Sequence, residues 1–233
     1  MTTAASIRRD LRALAPPEKA AGLAWFFKTG KGEYAEGDRF LGVTVPQIRA
    51  VARRHAALAP AQLRSLLRSR YHEERLCGLV LLTREFARAD GPARGRILRQ
   101  YLALSPWVNN WDLVDASAPT ILGESLWGGD TSLLDRLARS PSLWERRMAI
   151  VATLCFIRRG RFVETLRIAG RLLRDREDLI HKATGWMLRE VGKRDRALLE
   201  RFLRRHRREL PRTTLRYAIE RFPPALRRKF LAR

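Results

Sequence analysis

The chain has 233 residues, 45% of them apolar, enough to build a continuous core, so disorder is excluded as the default reading. Its apolar runs, such as Leu79 to Leu82 and Met148 to Phe156, fall short of the roughly 18 to 20 residues that span a bilayer. Basic residues number 47 against 24 acidic, a net charge of +23, and such a surface attracts polyanions over a long range.

At the N-terminus Arg8 and Arg9 have no apolar stretch behind them, so no secretory signal is expected and a cytoplasmic location follows. Further along, apolar residues recur at three- and four-residue intervals, and alternation appears only briefly around Phe40 to Val45; the chain reads as helical throughout. Breaks are predicted at Pro16-Pro17, Gly30 to Gly42, Pro60, Gly91-Pro92, Ser105-Pro106, Gly128-Gly129, Ser140-Pro141, Gly160, Pro211 and Pro223-Pro224. Cys77 and Cys155 sit inside aliphatic runs and read as small buried hydrophobes rather than a disulfide. His55, His72, His181 and His206 are scattered, and His72-Glu73-Glu74-Arg75 lacks the second histidine of a zinc-binding helix, so no metal site is expected. Basic residues crowd Arg201 to Arg208 and Arg227 to Arg233, as charged helix faces or as a grip on phosphate.

A repeat runs through the predicted helices. Arg75, Trp111, Arg147, Lys182 and Arg216 are separated by 36, 36, 35 and 34 positions, a helical-repeat period somewhat shorter than the roughly 40 to 47 residues of HEAT and armadillo units. The expected architecture is therefore an all-α helical-repeat solenoid of stacked antiparallel helix pairs, HEAT-like or ARM-like, forming one domain over residues 1–233. Equivalent positions would line a concave basic groove.

On the helix around Asp178 to Val191, about 100° per residue places Ile180, Ala183, Met187 and Val191 on one side and Lys182, Trp186 and Arg189 on the other. Trp111 and Asp115 are one helical turn apart, and Trp107 joins their face if the helix already runs there. Arg147 opens a segment, Met148 to Ile157, that is apolar nearly all round. A guanidinium there requires an anion, which Asp115 or a nucleic-acid phosphate could supply. The repeat register brings Trp111, Asp115, Arg147, Lys182 and Trp186 toward one groove. The plainer readings are hairpin packing for the tryptophans and a solvated or salt-bridged carboxylate for Asp115. Together they suit cleavage of an N-glycosidic bond in alkylated DNA. The carboxylate stabilises an oxocarbenium-like sugar and positions water, tryptophan faces favour cations, and arginine holds a flanking phosphate.

Three stretches resemble the AlkD-like family of DNA alkylation-repair glycosylases: Gly32 to Val43, Trp-Asp-Leu-Val-Asp from Trp111 to Asp115, and Lys-Ala-Thr-Gly-Trp-Met-Leu-Arg-Glu from Lys182 to Glu190. Trp144 to Ile150 fits as a fourth, and the likeness covers about residue 18 to residue 222. The resemblance implies a HEAT-like fold, with Asp115 as catalytic carboxylate, Trp111 and Trp186 as aromatic walls beside the lesion's deoxyribose, and Arg147, or its neighbour Arg146, as the cation on the backbone. Lys182, Arg189, Arg75 and Arg216 would be further DNA contacts. It also implies double-stranded DNA with cationic lesions such as 3-methyladenine and 7-methylguanine as substrate, no metal or organic cofactor, and a damaged base that need not be flipped into a pocket. Ala35 departs from the family pattern, standing where a glycine is expected. Gly30-Lys31-Gly32 is not a P-loop, lacking the upstream glycine spacing and the Ser or Thr after Lys.

The main rival is a non-catalytic helical-repeat protein that binds nucleic acid through its basic face; a scaffold for acidic partners is the third reading. The first has no need of Asp115, since a carboxylate in a phosphate-binding groove repels the ligand, and the scaffold predicts little dependence of binding on nucleic-acid structure. For an enzyme that tracks a duplex, a monomer is the simple expectation.

Overall fold

A computed structural model of the chain describes residues 2–232; Met1 and Arg233, the last of the basic residues noted from Arg227 onward, lie outside the described residues. The described chain is all helix, in the order α1 (Ala4–Arg12), α2 (Pro17–Phe26), α3 (Val45–Arg54), α4 (Pro60–Leu67), α5 (His72–Arg88), α6 (Gly91–Ala103), α7 (Trp111–Ala118), α8 (Glu124–Leu126), α9 (Ser132–Leu137), α10 (Leu143–Ala152), α11 (Leu154–Arg158), α12 (Val163–Leu172), α13 (Asp178–Arg194), α14 (Arg196–Arg205), α15 (Arg212–Ala218) and α16 (Pro224–Leu231). A 3₁₀ turn, Ser105–Trp107, precedes α7, and a π-helical turn, Pro119–Gly123, follows it. Two compact units divide the chain, one ending at Ser117 and one beginning at Ala118.

Each predicted proline or glycine break falls between helices or in a helix's first turn, because proline lacks the N–H needed in later turns. Polar caps supply the other starts: Thr3 and Thr44 form capping boxes with Ser6 and Gln47, and the carboxylates of Asp90 and Asp195 accept from Ala93 N (3.0 Å) and Leu198 N (2.8 Å). The breaks at Ser69-Arg70-Tyr71 and Thr153 carry no proline or glycine and lie outside the predicted set, whereas α13 begins at Asp178, where a helix is expected. Phe40 to Val45 is not a strand. Arg39 makes a single bridge to Tyr71, donating its N–H to Arg70 O and accepting from His72 N, both at 2.8 Å.

In the first unit α5 packs on α3 and α4, burying Leu76, Cys77, Leu79, Leu81, Leu82 and Phe86. In the second, α13 packs on α10, α12, α14 and α15 through the predicted stripe of Ile180, Ala183, Met187 and Val191, all buried. Met148 to Ile157 is buried along its length, as its all-round apolarity requires, although Thr153 divides it into α10 and α11. Gly185 lets α13 and α15 meet closely: a Cβ there would stand 2.5 Å from Tyr217 Cβ and 2.7 Å from Thr214 O. Among the described residues no helix is long and apolar enough to cross a membrane.

Candidate functional site

The site in the first unit is organised by the opening turn of α5, where His72, Glu73, Glu74 and Arg75 are consecutive and all buried. Buried charge is costly unless paired and hydrogen-bonded, and each of the four meets a different partner. Glu73 accepts from the backbone N–H groups of Leu41 (3.0 Å) and Gly42 (2.9 Å), tying down the loop before α3. Glu74 accepts from Arg8 (2.8 Å) and Arg12 (3.0 Å) of α1. Arg75 donates to Asp38 (2.5 Å) and to Ser69 O (2.9 Å). His72 Nε2 lies 2.7 Å from Asp112 on α7, and its Nδ1 lies 3.7 Å from Asp38.

This cluster is electrostatically coupled. Burial alone would lower the His72 pKa, but its hydrogen bond to Asp112 and the nearby negative charge of Asp38 outweigh that and raise it above 6.5. Burial likewise opposes ionisation of Asp38, yet His72 and Arg75 together hold its carboxyl below the ordinary value.

The loop between α2 and α3 completes the support for Trp111. Phe27, Phe40 and His72 form a triangle of rings, with centroids 5.0 Å apart for Phe27 and Phe40, 4.9 Å for Phe40 and His72 and 4.8 Å for His72 and Phe27. Trp111 stacks on Phe27 at 5.3 Å with planes 17° apart, meets the exposed Phe26 edge-on at 6.1 Å, and donates from Nε1 to Tyr34 OH at 3.3 Å. Ala35 is buried against Phe27 and Phe40. The loop takes its left-handed backbone at Lys28, Gly32, Gly37 and Gly42 and not at Ala35, so the missing glycine costs the loop no strain. Gly42 is required twice over, for its φ of 91° and because a Cβ would stand 2.6 Å from Pro16 O.

Asp115 is half-buried one turn beyond Trp111 on the same helix. Burial pushes the Tyr101 phenol up, its 2.9 Å hydrogen bond with Ser117 pulls the other way, and the negative charge of Asp115 adds to the rise. Trp107 does not join the face of Trp111 and Asp115. It ends the 3₁₀ turn, and α7 begins only at Trp111, after Val108 to Asn110.

In the second unit α13 presents Lys182, Trp186 and Arg189 as one half-buried stripe, as predicted. Lys182 pairs with Asp178 at 2.7 Å, and Arg189 pairs with Glu220 and Glu190. Arg147 is buried on α10 and donates to Leu179 O at 2.7 Å, joining α10 to α13. Its neighbour Arg146 is saturated, with Asp175 at 2.6 Å and the carbonyls of Ser140 (3.1 Å) and Pro141 (2.9 Å). Arg216 is exposed on α15. Arg75, expected at DNA, is corrected to an internal anchor, because its buried guanidinium is engaged by Asp38 and the Ser69 carbonyl.

Counting from the first residue of each helix, Asp115, Arg147, Lys182 and Arg216 are all the fifth residue of α7, α10, α13 and α15. The supporting residues Phe27, Tyr34, Phe40, Asp38, His72 and Asp112 were not singled out from sequence. Four consecutive polar residues directly before an apolar run, at His72 to Arg75, were the available signal.

An all-helical fold of packed helices, with a supported indole and a carboxylate one turn apart on one helix, defines the class of helical-repeat proteins. A family model described as DNA alkylation repair enzyme matches residues 7–222, and the chain belongs to that family. Among solved structures it is similar to a predicted DNA alkylation repair enzyme from Enterococcus faecalis, with a TM-score of 0.69 and 17% identity over 90% of this chain and 97% of that one. No curated protein matches it. Family membership gives the chain a role in DNA repair, with DNA as its substrate.

Proposed function

We propose that the protein is a monofunctional DNA glycosylase that removes cationic alkylated bases, of the 3-methyladenine and 7-methylguanine type, from duplex DNA. The observation that carries this reading is a half-buried carboxylate, Asp115, one turn from an indole held rigidly by Phe27 and Tyr34. A base alkylated on a ring nitrogen is already a good leaving group, so the barrier lies in the positive charge that develops on the sugar. Asp115 stabilises that oxocarbenium-like charge and orients the attacking water. The face of Trp111 adds cation–π attraction of about 0.5 to 2 kcal/mol, and Trp186 is the second aromatic wall. Arg147 holds a backbone phosphate beside the lesion by exchanging its internal contact with the Leu179 carbonyl. Arg216 is a further phosphate contact, while Lys182, Arg146 and Arg189, already paired with carboxylates, reach DNA only by exchanging those partners. The protein acts as a monomer and needs no cofactor in this scheme.

The test is release of free base from duplex DNA carrying 7-methylguanine or 3-methyladenine, with Asp115→Asn run in parallel. Release above the spontaneous rate that falls at least about 100-fold in D115N, the scale of losing one electrostatic stabiliser, is expected. Tight binding without release by the wild type would replace the enzyme with a non-catalytic DNA-binding repeat protein.

A further inference from the structure

Most arginines that hydrogen-bond across this protein meet a carboxylate, as Arg8 and Arg12 do at Glu74 and Arg146 does at Asp175. Arg64 and Arg68 of the α4 region and Arg96 and Arg99 of α6 do not. All four are exposed, have no ion-pair partner among the described residues, and line a single cleft of about 580 Å³ with Gln100 and Trp107. No acidic residue lines that cleft. Its volume falls within the range of ligand pockets.

Helix physics explains part of this cluster and leaves the rest. Arg64 lies in the last turn of α4 and Arg68 is its C-cap, where cations favour the helix dipole. Arg96 and Arg99 lie in the interior of α6, whose last turn carries no basic residue, and gain nothing from that dipole. Ile97 and Tyr101 on the same helix are buried, so α6 is anchored by one stripe and turns its cations to the cleft. Like charges one helical turn apart repel, and four around one cleft repel more, unless an anion sits between them. The Arg68 guanidinium is stacked over the Trp107 ring at 4.4 Å, which fixes its plane and holds its donor fork ready.

We infer that this cleft between α4, α6 and Trp107 is a second nucleic-acid contact, which takes backbone phosphates of a strand outside the candidate glycosylase site. Guanidinium forks match phosphate oxygens bidentately. The lining offers only one neutral polar side chain, Gln100, and so little with which to read a base edge. None of its residues belongs to the candidate site, and the inference holds whether or not the protein releases bases.

The test uses the full chain and undamaged duplex DNA, which separates this surface from catalysis. Hydroxyl-radical footprinting reads the reactivity of Trp107 with and without DNA. Binding is then measured over a range of salt for the wild type and for Arg96→Gln/Arg99→Gln, whose fold is checked by thermal melting. The expected result is protection of Trp107 and a salt slope reduced by about 0.9 for each phosphate that the double variant no longer neutralises. An unprotected Trp107, or an unchanged slope in the double variant, overturns the inference. Titration with inorganic tripolyphosphate distinguishes the alternative source of phosphate: wild-type binding abolished in the double variant, with the DNA slope unchanged, would assign the cleft to a soluble polyphosphate instead.

Discussion

Asp112 and Asp115 stand on the same helix, yet their surroundings separate their roles. Asp112 is held 2.7 Å from the buried His72, while Asp115 lies one turn beyond Trp111. Substituting Asp112 breaks a buried ion pair, a class of change that costs about 3 to 5 kcal/mol. Asp112→Asn is therefore expected to lower the melting temperature, which calorimetry checks, whereas Asp115→Asn is expected to remove base release, which the release assay checks. The His72 cluster also fixes a pH dependence. The folded pKa of His72 lies above 6.5, so its pairing stabilises fully below that pH and is lost as pH rises through the raised folded value. Asp38, whose pKa is lowered, acts in the opposite direction, with stability lost as pH falls through its depressed value. Melting temperature should thus decline on the alkaline side of pH 6.5. His72→Phe keeps a ring against Phe27 and Phe40 but removes both carboxylate contacts, and it should flatten that decline. A decline of the same size in the variant would show that another group is responsible.

At the scale of elements, the helices and their faces were largely legible because one-sided burial imposes a 3.6-residue period that sequence displays directly. The stripe of Lys182, Trp186 and Arg189 opposite Ile180, Ala183 and Met187 appeared where it was predicted. Starts marked by proline or glycine are legible because those residues disfavour a helix interior, and α13 begins at Asp178 as expected, whereas the break at Thr153 is not legible, because no proline or glycine marks it. The condition on Trp107 is not met, and sequence left it open because periodicity cannot tell a 3₁₀ turn from the first turn of the following helix. The support beneath Trp111 was invisible for a different reason: Phe27, Phe40 and His72 come from three segments, and only tertiary folding stacks them. Close approach of helices is similarly hidden in sequence. Gly185 looks like an unfavourable residue inside α13, costing about 1 kcal/mol against alanine by propensity alone. The approach of Tyr217 and Thr214 reverses the sign. Gly185→Ala should destabilise the protein by about 1 to 3 kcal/mol through overpacking, measurable by denaturant unfolding; a gain in stability would mean that α15 yields readily.

For the whole molecule the dominant fact is charge, 47 basic against 24 acidic residues. Two effects of salt oppose each other. Screening weakens the surface ion pairs, such as Arg174 with Glu209 at 3.3 Å and Arg204 with Glu200 at 3.4 Å, but such exposed pairs contribute only about 0 to 1 kcal/mol each. Screening also relieves the mutual repulsion of the excess cations, which favours expansion of the chain at low salt. The excess of +23 means that cations remain unmatched even if every carboxylate is paired. The repulsive part should therefore prevail. Between about 0.01 M and 0.15 M salt the screening length falls from about 30 Å to about 8 Å, and the melting temperature should rise over that interval. DNA binding responds in the opposite direction, weakening with salt as counterion release loses its advantage, by about 0.9 in log affinity per neutralised phosphate for each decade of salt. A protein stabilised by salt while its DNA complex is weakened is the signature of a surface whose cations lack partners until the phosphate backbone supplies them. A melting temperature that falls with salt would instead show that the ion pairs outweigh the repulsion.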